Sequence, residues 1–379
     1  MRYLVLIFAL LIGCGPREKT VDLKLLNEPA FDIPFETDIP AKEKPLGNEH
    51  LNLQTAPATL TLESPSSPAW KWHGIVKANV PKGTQKVKET DKSLFNWLDH
   101  KNGQLLLLQG LDSVLVYNYG NQLPPGVPAD RARSSYIHPI WSPSGVMVTD
   151  DFPEDHLHHR GLSWMWPGVY IDKDTLDHWH IKGIKTEFSR WLGKYVGPLC
   201  ATLGVENEWI YKEKSVLKET VWIKAFKQTT NARAIDLSLT LEAKVPIKLQ
   251  GKVEKGYGGL CLRLAPREEP AILSPRGWEA DSDLEPLAWT DQSGLFTMKQ
   301  QMAGIAIFQH SDNPDFPAGW TLRHYGFLGV AWPGMNKVEL EPGNPVHMRF
   351  RIWVHDGDAV SANVNDAYQY FLSPPEIIW

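Results

Sequence analysis

Apolar and polar residues alternate with a period of two along most of the chain beyond residue 70. In RAIDLSLTLEA, Ile235, Leu237, Leu239 and Leu241 fall on one side of an extended chain, and Asp236, Ser238, Thr240 and Glu242 fall on the other. Successive side chains of a strand point to opposite faces, so this spacing predicts a strand with one buried face. VHMRFRIWVHDG repeats the pattern, with Met348, Phe350 and Ile352 set against Arg349, Arg351 and Trp353. Short apolar runs bounded by turn residues predict further strands: QLLLLQG and SVLVYNYG as a pair, and GIAIFQH. A helical period hardly occurs. One segment, NVNDAYQYFLSP, predicts a helix stopped by Pro374 and Pro375. The expectation is an all-β chain, folded as a large antiparallel β-sandwich with few short helices.

The first 65 residues depart from this pattern. Arg2 is followed by an apolar run from Tyr3 to Ile12, too short to span a bilayer and suited to a secretory signal. Leu11-Ile12-Gly13-Cys14 resembles the lipobox of bacterial lipoproteins, which implies cleavage before Cys14 and lipid on its sulfur. Gly15 is not the aspartate that retains lipoproteins in an inner membrane, so the expected location is the cell envelope, at an outer membrane and facing the periplasm. EPAFDIPFETDIPAKEKPLGNEH, spaced by proline and rich in charge, predicts a flexible tether. The expected organisation is a lipoprotein signal peptide at 1–13, a lipid-anchored tether at 14–65 and one β-domain at 66–379, with the membrane reached through the anchor alone.

Charge narrows the partners. The net charge of -5 and the absence of a basic stripe argue against nucleic acid. The 16 Trp, 29 Gly and 29 Pro suit a β-protein with aromatic walls, although most tryptophans in any fold are core. Cys200 and Cys261, the cysteines besides Cys14, are open to two readings: a disulfide, or two buried thiols.

One loop concentrates chemistry. In DFPEDHLHHRGLSW, His156, His158 and His159 stand beside Glu154, Asp155 and Arg160, and six of the 13 histidines lie between His138 and His180. His138 sits in SYIHPIWSPSG, before a proline-rich turn, and loops at one end of a sheet bring such segments together. Three uses fit the residue types. A divalent metal would take two or three of His138, His156, His158 and His159 with Asp155, although HLHH matches no structural zinc spacing. Histidine paired with a carboxylate would move protons near neutrality. Histidine, arginine and aspartate would also bind hydroxyls without chemistry. The bland alternative, a loop whose histidines are satisfied by backbone, fits any one of them.

Gly161 permits a close backbone approach or a bulge, and SWMWP predicts a strand with Trp164 and Trp166 on one face, as stacking surfaces for sugar rings. KGYGGLCLRL adds Tyr257 and Arg263; it lacks the register of a nucleotide-binding glycine loop. QHSDNPDFPAGWTLRHYG adds His310, Asn313, Arg323 and His324, and HDGD near the end predicts a turn rather than a calcium loop.

HPIWSPSG, DHLHHRGLSW, KGYGGLCLR, WTDQSG, HSDNP with RHYG, and FRIWVHDGD occur in this order from about residue 70 to the end. Together they resemble a bacterial family of unknown function, some members of which carry the label methane oxygenase. That label fits poorly with a strand-rich chain lacking an internal membrane span. The chain departs from the family pattern at Ser311, where proline is commoner. The Pro-flanked turn followed by HHRGLSW is also similar, more loosely, to the galactose mutarotase-like (aldose epimerase) group. That resemblance implies a β-supersandwich with an open carbohydrate-binding face. It matches His159 to the group's catalytic histidine, with Arg160 beside it, and leaves the group's glutamate base without a counterpart.

The expected function is therefore binding or processing of a glycan fragment by histidine-mediated acid–base chemistry of lyase, epimerase or glycosidase type. His159 and His156 are the candidate proton shuttles, Asp155 their acid, and Arg160 a contact to a carboxylate or hydroxyl. His138, His158, Trp164, Trp166, Tyr257, Arg263, His310, Asn313, Arg323 and His324 are the candidate binding residues. A non-catalytic glycan-binding lipoprotein and a metal-dependent oxygenase or hydrolase are the alternatives, and no cofactor other than that metal is implied.

Overall fold

The computed structural model describes residues 94–373 apart from position 198, together with Asp32 and seven short strands: Asp22–Leu25, Ile33–Asp38, Asn52–Gln54, Ala58–Glu63, Lys71–Val76, Gly83–Lys86 and Glu376–Ile378. Cys14, the signal segment and the two prolines after the helix lie outside the described residues.

Two nine-stranded antiparallel sheets form the body. The first runs, edge to edge, through Ser282–Pro286, Gly319–Arg323, Phe327–Ala331, Gly259–Arg263, Leu162–Met165, Tyr136–Ile140, Asp112–Asn118, Gln104–Gln109 and Phe95–Asp99. The second runs from Lys185–Val196 through Cys200–Tyr211, Lys214–Phe226, Ala232–Ala243, Val346–Asp356, Gln301–Gln309, Trp289–Phe296 and Arg267–Ser274 to Gly277–Trp278. A smaller four-stranded sheet holds Asp174–Leu176, Gly168–Ile171, Ile247–Gln250 and Val338–Leu340.

The alternation seen in the sequence decides what lies between the sheets. Leu107, Leu115, Ile137 and Leu262 of the first sheet and Leu203, Val221, Leu237, Ile305 and Ile352 of the second belong to one buried cluster. Each such side chain contributes roughly 1.5–3 kcal/mol by leaving water. Gln104–Gln109 pairs with Asp112–Asn118 as expected. The one α-helix among the described residues, Val364–Leu372, covers the outer face of the second sheet, where Val364, Ala367 and Tyr368 join Trp353 and Phe308. Trp353, on the polar side of its strand by alternation, is buried there and donates from Nε1 to the Ala362 carbonyl at 3.1 Å.

The outer face of the first sheet is different. Met165, Cys261 and Phe327 project from it and pack with Trp179 and Tyr257. Cys200 belongs to the cluster under the helix, so the two buried cysteines sit in separate places and do not bridge. Four of the short strands fall within 14–65, and the buried Arg351 donates to the Pro34 carbonyl at 3.2 Å. Part of that segment therefore touches the body.

Candidate functional site

The histidine loop lies at the end of the first sheet, between Tyr136–Ile140 and Leu162–Met165. Two tight turns shape it: His156 N–H donates to the Pro153 carbonyl at 3.0 Å, and His159 N–H to the His156 carbonyl at 2.8 Å. Arg160 staples the turns from inside. Its guanidinium donates to the carbonyls of Leu157 at 3.0 Å, His159 at 2.6 Å and Arg131, and lies 3.4 Å from the centre of the Phe152 ring. Phe152 has a φ of +53°, an uncommon conformation for a bulky residue, and the stacked guanidinium helps hold it. Gly161 closes the loop onto the sheet. A Cβ there would come within 2.5 Å of the Ile137 carbonyl oxygen and 2.8 Å of the His138 Cβ, so only glycine fits this approach.

The loop meets the turn 324–326 of the neighbouring hairpin. The Tyr325, His156 and His159 rings form a stack: Tyr325 and His156 are 5.3 Å apart at 11°, His156 and His159 4.6 Å apart at 9°. Asp155 Oδ2 lies 2.9 Å from His156 Nδ1, and Arg263 Nη2 donates to both Asp155 oxygens at 2.9 and 3.0 Å. The Arg263 guanidinium also lies 4.9 Å from the Tyr325 ring centre. Beside this group opens a cleft of about 440 Å³, lined by Asp150, Arg263, Leu264, Pro266, Arg267, Pro270, His324 and Tyr325. Four backbone hydrogen bonds join its walls: Asp150 to Arg263, Arg263 to Gly161, Leu264 to Gly326 and Ala265 to Val148.

Burial sets the charge states. Burial works to raise the Asp155 carboxyl, but hydrogen bonds from His156 and Arg263 outweigh it and hold the group below its ordinary range. His159 is only 4% exposed; burial, then His158, His156, Arg263 and Arg160, push it down to about 2. Burial, then His180, His156, Arg131 and Arg160, bring His158 to about 3, and burial with Arg160 does the same to His138. Asp151 moves the other way. Burial raises it to about 7, against the opposing pull of Arg160 and a 2.7 Å hydrogen bond from the Tyr136 hydroxyl.

These placements revise several sequence expectations. His159 is a neutral ring wedged between His156, Phe327 and Trp179, a poor proton shuttle near neutrality; His156, paired with Asp155, is the better placed histidine. Arg160 is 1% exposed and its donors face loop carbonyls, so it shapes the loop rather than meeting a ligand. Trp164 and Trp166 are sandwich core; Trp166 donates to the Trp332 carbonyl at 2.8 Å and packs on Trp209. His138 lies against Gly161 with Nδ1 3.0 Å from Thr149 Oγ1. Asn313 exchanges hydrogen bonds with the Arg349 backbone, and His310 contacts Arg349 and Phe371, both of which belong to the second sheet and its helix. Arg323 is tied to Asp283 at 2.7 Å and the Ser282 carbonyl. His324 lines the cleft with its Nδ1 2.6 Å from Asp281. Tyr257 packs on Trp179 at 4.9 Å.

Among the described residues, no three His, Cys, Asp or Glu side chains converge to hold a metal ion. The candidate set does not close, because His138 faces Thr149, His156 faces Asp155, and His158 faces His180 at 4.5 Å. Sequence reading passed over Arg267, Trp179 and the Asp177–His180 pair, whose ring nitrogen and carboxylate lie 2.8 Å apart. The HWH of residues 178–180 was a signal for the last two.

No protein of curated function matches the chain. A galactose mutarotase related enzyme from Lactobacillus acidophilus aligns over 70% of this chain and 98% of its own, at 9% identity and a TM-score of 0.32. A protein classed as an aldose 1-epimerase from Klebsiella pneumoniae subsp. pneumoniae aligns over 91% of this chain and 97% of its own, at 10% identity and a TM-score of 0.32. The family model that matches spans residues 105–369, which takes in the histidine loop, Arg263 and the 324–326 turn, and the chain belongs to that family, the Family of unknown function (DUF6807).

Proposed function

We propose that the protein binds a glycan fragment in the cleft beside the histidine loop and processes it by proton transfer at His156. The observation that carries this reading is the Arg263–Asp155–His156 series at the cleft edge. Arg263 fixes Asp155, the Asp155 carboxylate lies 2.9 Å from His156 Nδ1 as an ion-pair contact, and Nε2 is the ring nitrogen left to take a proton from a sugar hydroxyl or ring carbon, or to return one. Tyr325, 45% exposed, supplies an aromatic surface, while Arg263, Arg267 and His324 supply polar contacts to hydroxyls. Lyase, epimerase and glycosidase chemistry all use such a group.

The lipobox supports attachment through Cys14, with 14–65 between lipid and the body at 66–379, at an outer membrane facing the periplasm. Cys14→Ser should release the protein from the membrane fraction, and mass spectrometry of the N-terminal peptide should show acyl chains on Cys14.

Proton NMR of the purified protein with a panel of plant and bacterial oligosaccharides tests the activity. New anomeric or unsaturated-ring signals, lost in His156→Asn, are the expected result. Saturation transfer to a sugar with no turnover would replace catalysis with capture by a glycan-binding lipoprotein. Silence across the panel would defeat the glycan reading.

A further inference from the structure

We propose that the ligand of this cleft is acidic: a uronate or similar carboxylate-bearing sugar, its acid group seated on Arg263 and Arg267. The inference rests on the glycan reading above and adds a charge requirement to it.

A guanidinium presents five N–H donors in a planar fork. The Arg263 side chain is 8% exposed, yet within the protein only Nη2 finds an acceptor, on Asp155. Nε and Nη1 stand on separate edges of the fork, either side of Nη2, and both are buried without a hydrogen-bond partner, so each lacks an acceptor oxygen. An unsatisfied charged donor in the interior is costly, so each of these donors is stabilised when an acceptor arrives.

Arg267 lies on the same cleft wall. Its Nη1 donates to the Ala265 carbonyl at 3.1 Å and its Nη2 to the His324 carbonyl at 3.0 Å, while Nε is also buried without a partner. Gly326, at φ +115°, keeps this arginine in place, because a Cβ there would meet Arg267 Nη1 at 2.7 Å. Two like charges thus share one wall, offset in part by Asp155 beside Arg263 and by Asp291 near Arg267. Asp150 is the carboxylate that lines the cleft, and its Oδ1 is occupied by the Asp151 N–H at 2.9 Å. Burial raises the Asp150 carboxyl, which lessens its repulsion of an incoming acid.

The cover over Arg263 is slight. Tyr325 lies across its guanidinium at the tip of a hairpin and is 45% exposed. Displacing that ring would bare the Arg263 guanidinium to the cleft and leave the phenol beside the ligand. A cleft of about 440 Å³ suits one or two sugar units rather than a bare anion.

The test is calorimetric titration of the full chain with a galacturonate trimer and with the same trimer after its carboxyls are reduced to hydroxymethyl groups. Inorganic phosphate and sulfate are titrated alongside. The acidic trimer should bind about tenfold or more tightly than its reduced twin, as charged hydrogen bonds require, and added salt should weaken it. Arg263→Gln and, separately, Arg267→Gln should narrow that ratio towards one. The reduced-sugar comparison needs no variant, so a misfolded arginine variant does not spoil it. Equal affinity for the two trimers overturns the acidic-ligand inference and leaves the glycan reading standing. Binding of neither trimer removes both. Phosphate or sulfate binding as tightly as the trimer makes this a simple anion site and overturns the sugar part.

Discussion

His159→Phe isolates what a buried, neutral histidine does to this fold in acid. The ring stacks 4.6 Å from His156, lies 5.0 Å from Phe327, and has an Nδ1 buried without a partner. Phenylalanine keeps the stack and removes that nitrogen. In the folded protein His159 titrates near 2, against an ordinary value of 6.5. A depressed histidine means that the unfolded chain binds the extra proton between those values. Its contribution is therefore present above pH 6.5 and is lost as pH falls from 6.5 towards 2. At pH 5 the deficit is 1.5 pH units at about 1.36 kcal/mol each, or roughly 2 kcal/mol for this residue. Urea unfolding followed by tryptophan fluorescence, with 16 reporters available, gives the stability at pH 7.5 and pH 5. Parent and variant should be within about 1 kcal/mol at pH 7.5, and the variant should gain about 2 kcal/mol on the parent at pH 5. His138, His158 and His178 are lowered too and remain in the variant, so both proteins still weaken in acid. Parallel stability curves for the two would refute the claim that His159 is held neutral by the fold.

Other substitutions probe other supports. Asp151→Asn tests the opposite sign: a carboxyl raised from 3.8 to about 7 contributes stability that is lost as pH climbs to 7, so the variant should gain about 3 kcal/mol on the parent between pH 5 and pH 8. Arg160→Met strands three loop carbonyls and the Asp151 carboxylate, and should cost about 3 kcal/mol or more in urea unfolding. Gly161→Ala drives a methyl into the Ile137 carbonyl and should cost about 1–3 kcal/mol in urea unfolding.

The strands were legible because alternation and burial are the same fact seen twice: Ile235, Leu237, Leu239 and Leu241 read as one face and are all in the core. The loop was legible as a concentration of chemistry, since Asp155, His156, Arg263 and His324 do gather about one cleft. The tryptophans were misread although the signal was there. Trp164 shares its parity with the core residue Leu162, while Met165, of the opposite parity, faces outward. Arg160 was misread for a different reason. Its role is fixed by the Arg131 carbonyl, 29 residues away, and sequence carries no trace of that partner. His310 and His324 looked like one cluster, but the five-residue strand Gly319–Arg323 lies between them. It separates its ends by about 17 Å.

The cleft is joined across a long stretch of chain, and this dictates when it comes into being. Asp155 and its partner Arg263 are 108 residues apart, and Ser142 bonds Asp356 across 214. At a synthesis rate of about 5–20 residues per second, the loop waits roughly 5–20 s for Arg263 and longer for Tyr325. Until then the His156 and His159 rings have no hairpin to stack on, and before Arg263 the first sheet lacks the strand that joins its halves. Folding is governed by late, distant pairings and is correspondingly slow. A truncated or stalled chain ending before residue 325 would carry the loop and both arginines but lack Tyr325 and the strand Phe327–Ala331 beside Gly259–Arg263, with a raw sheet edge open to aggregation.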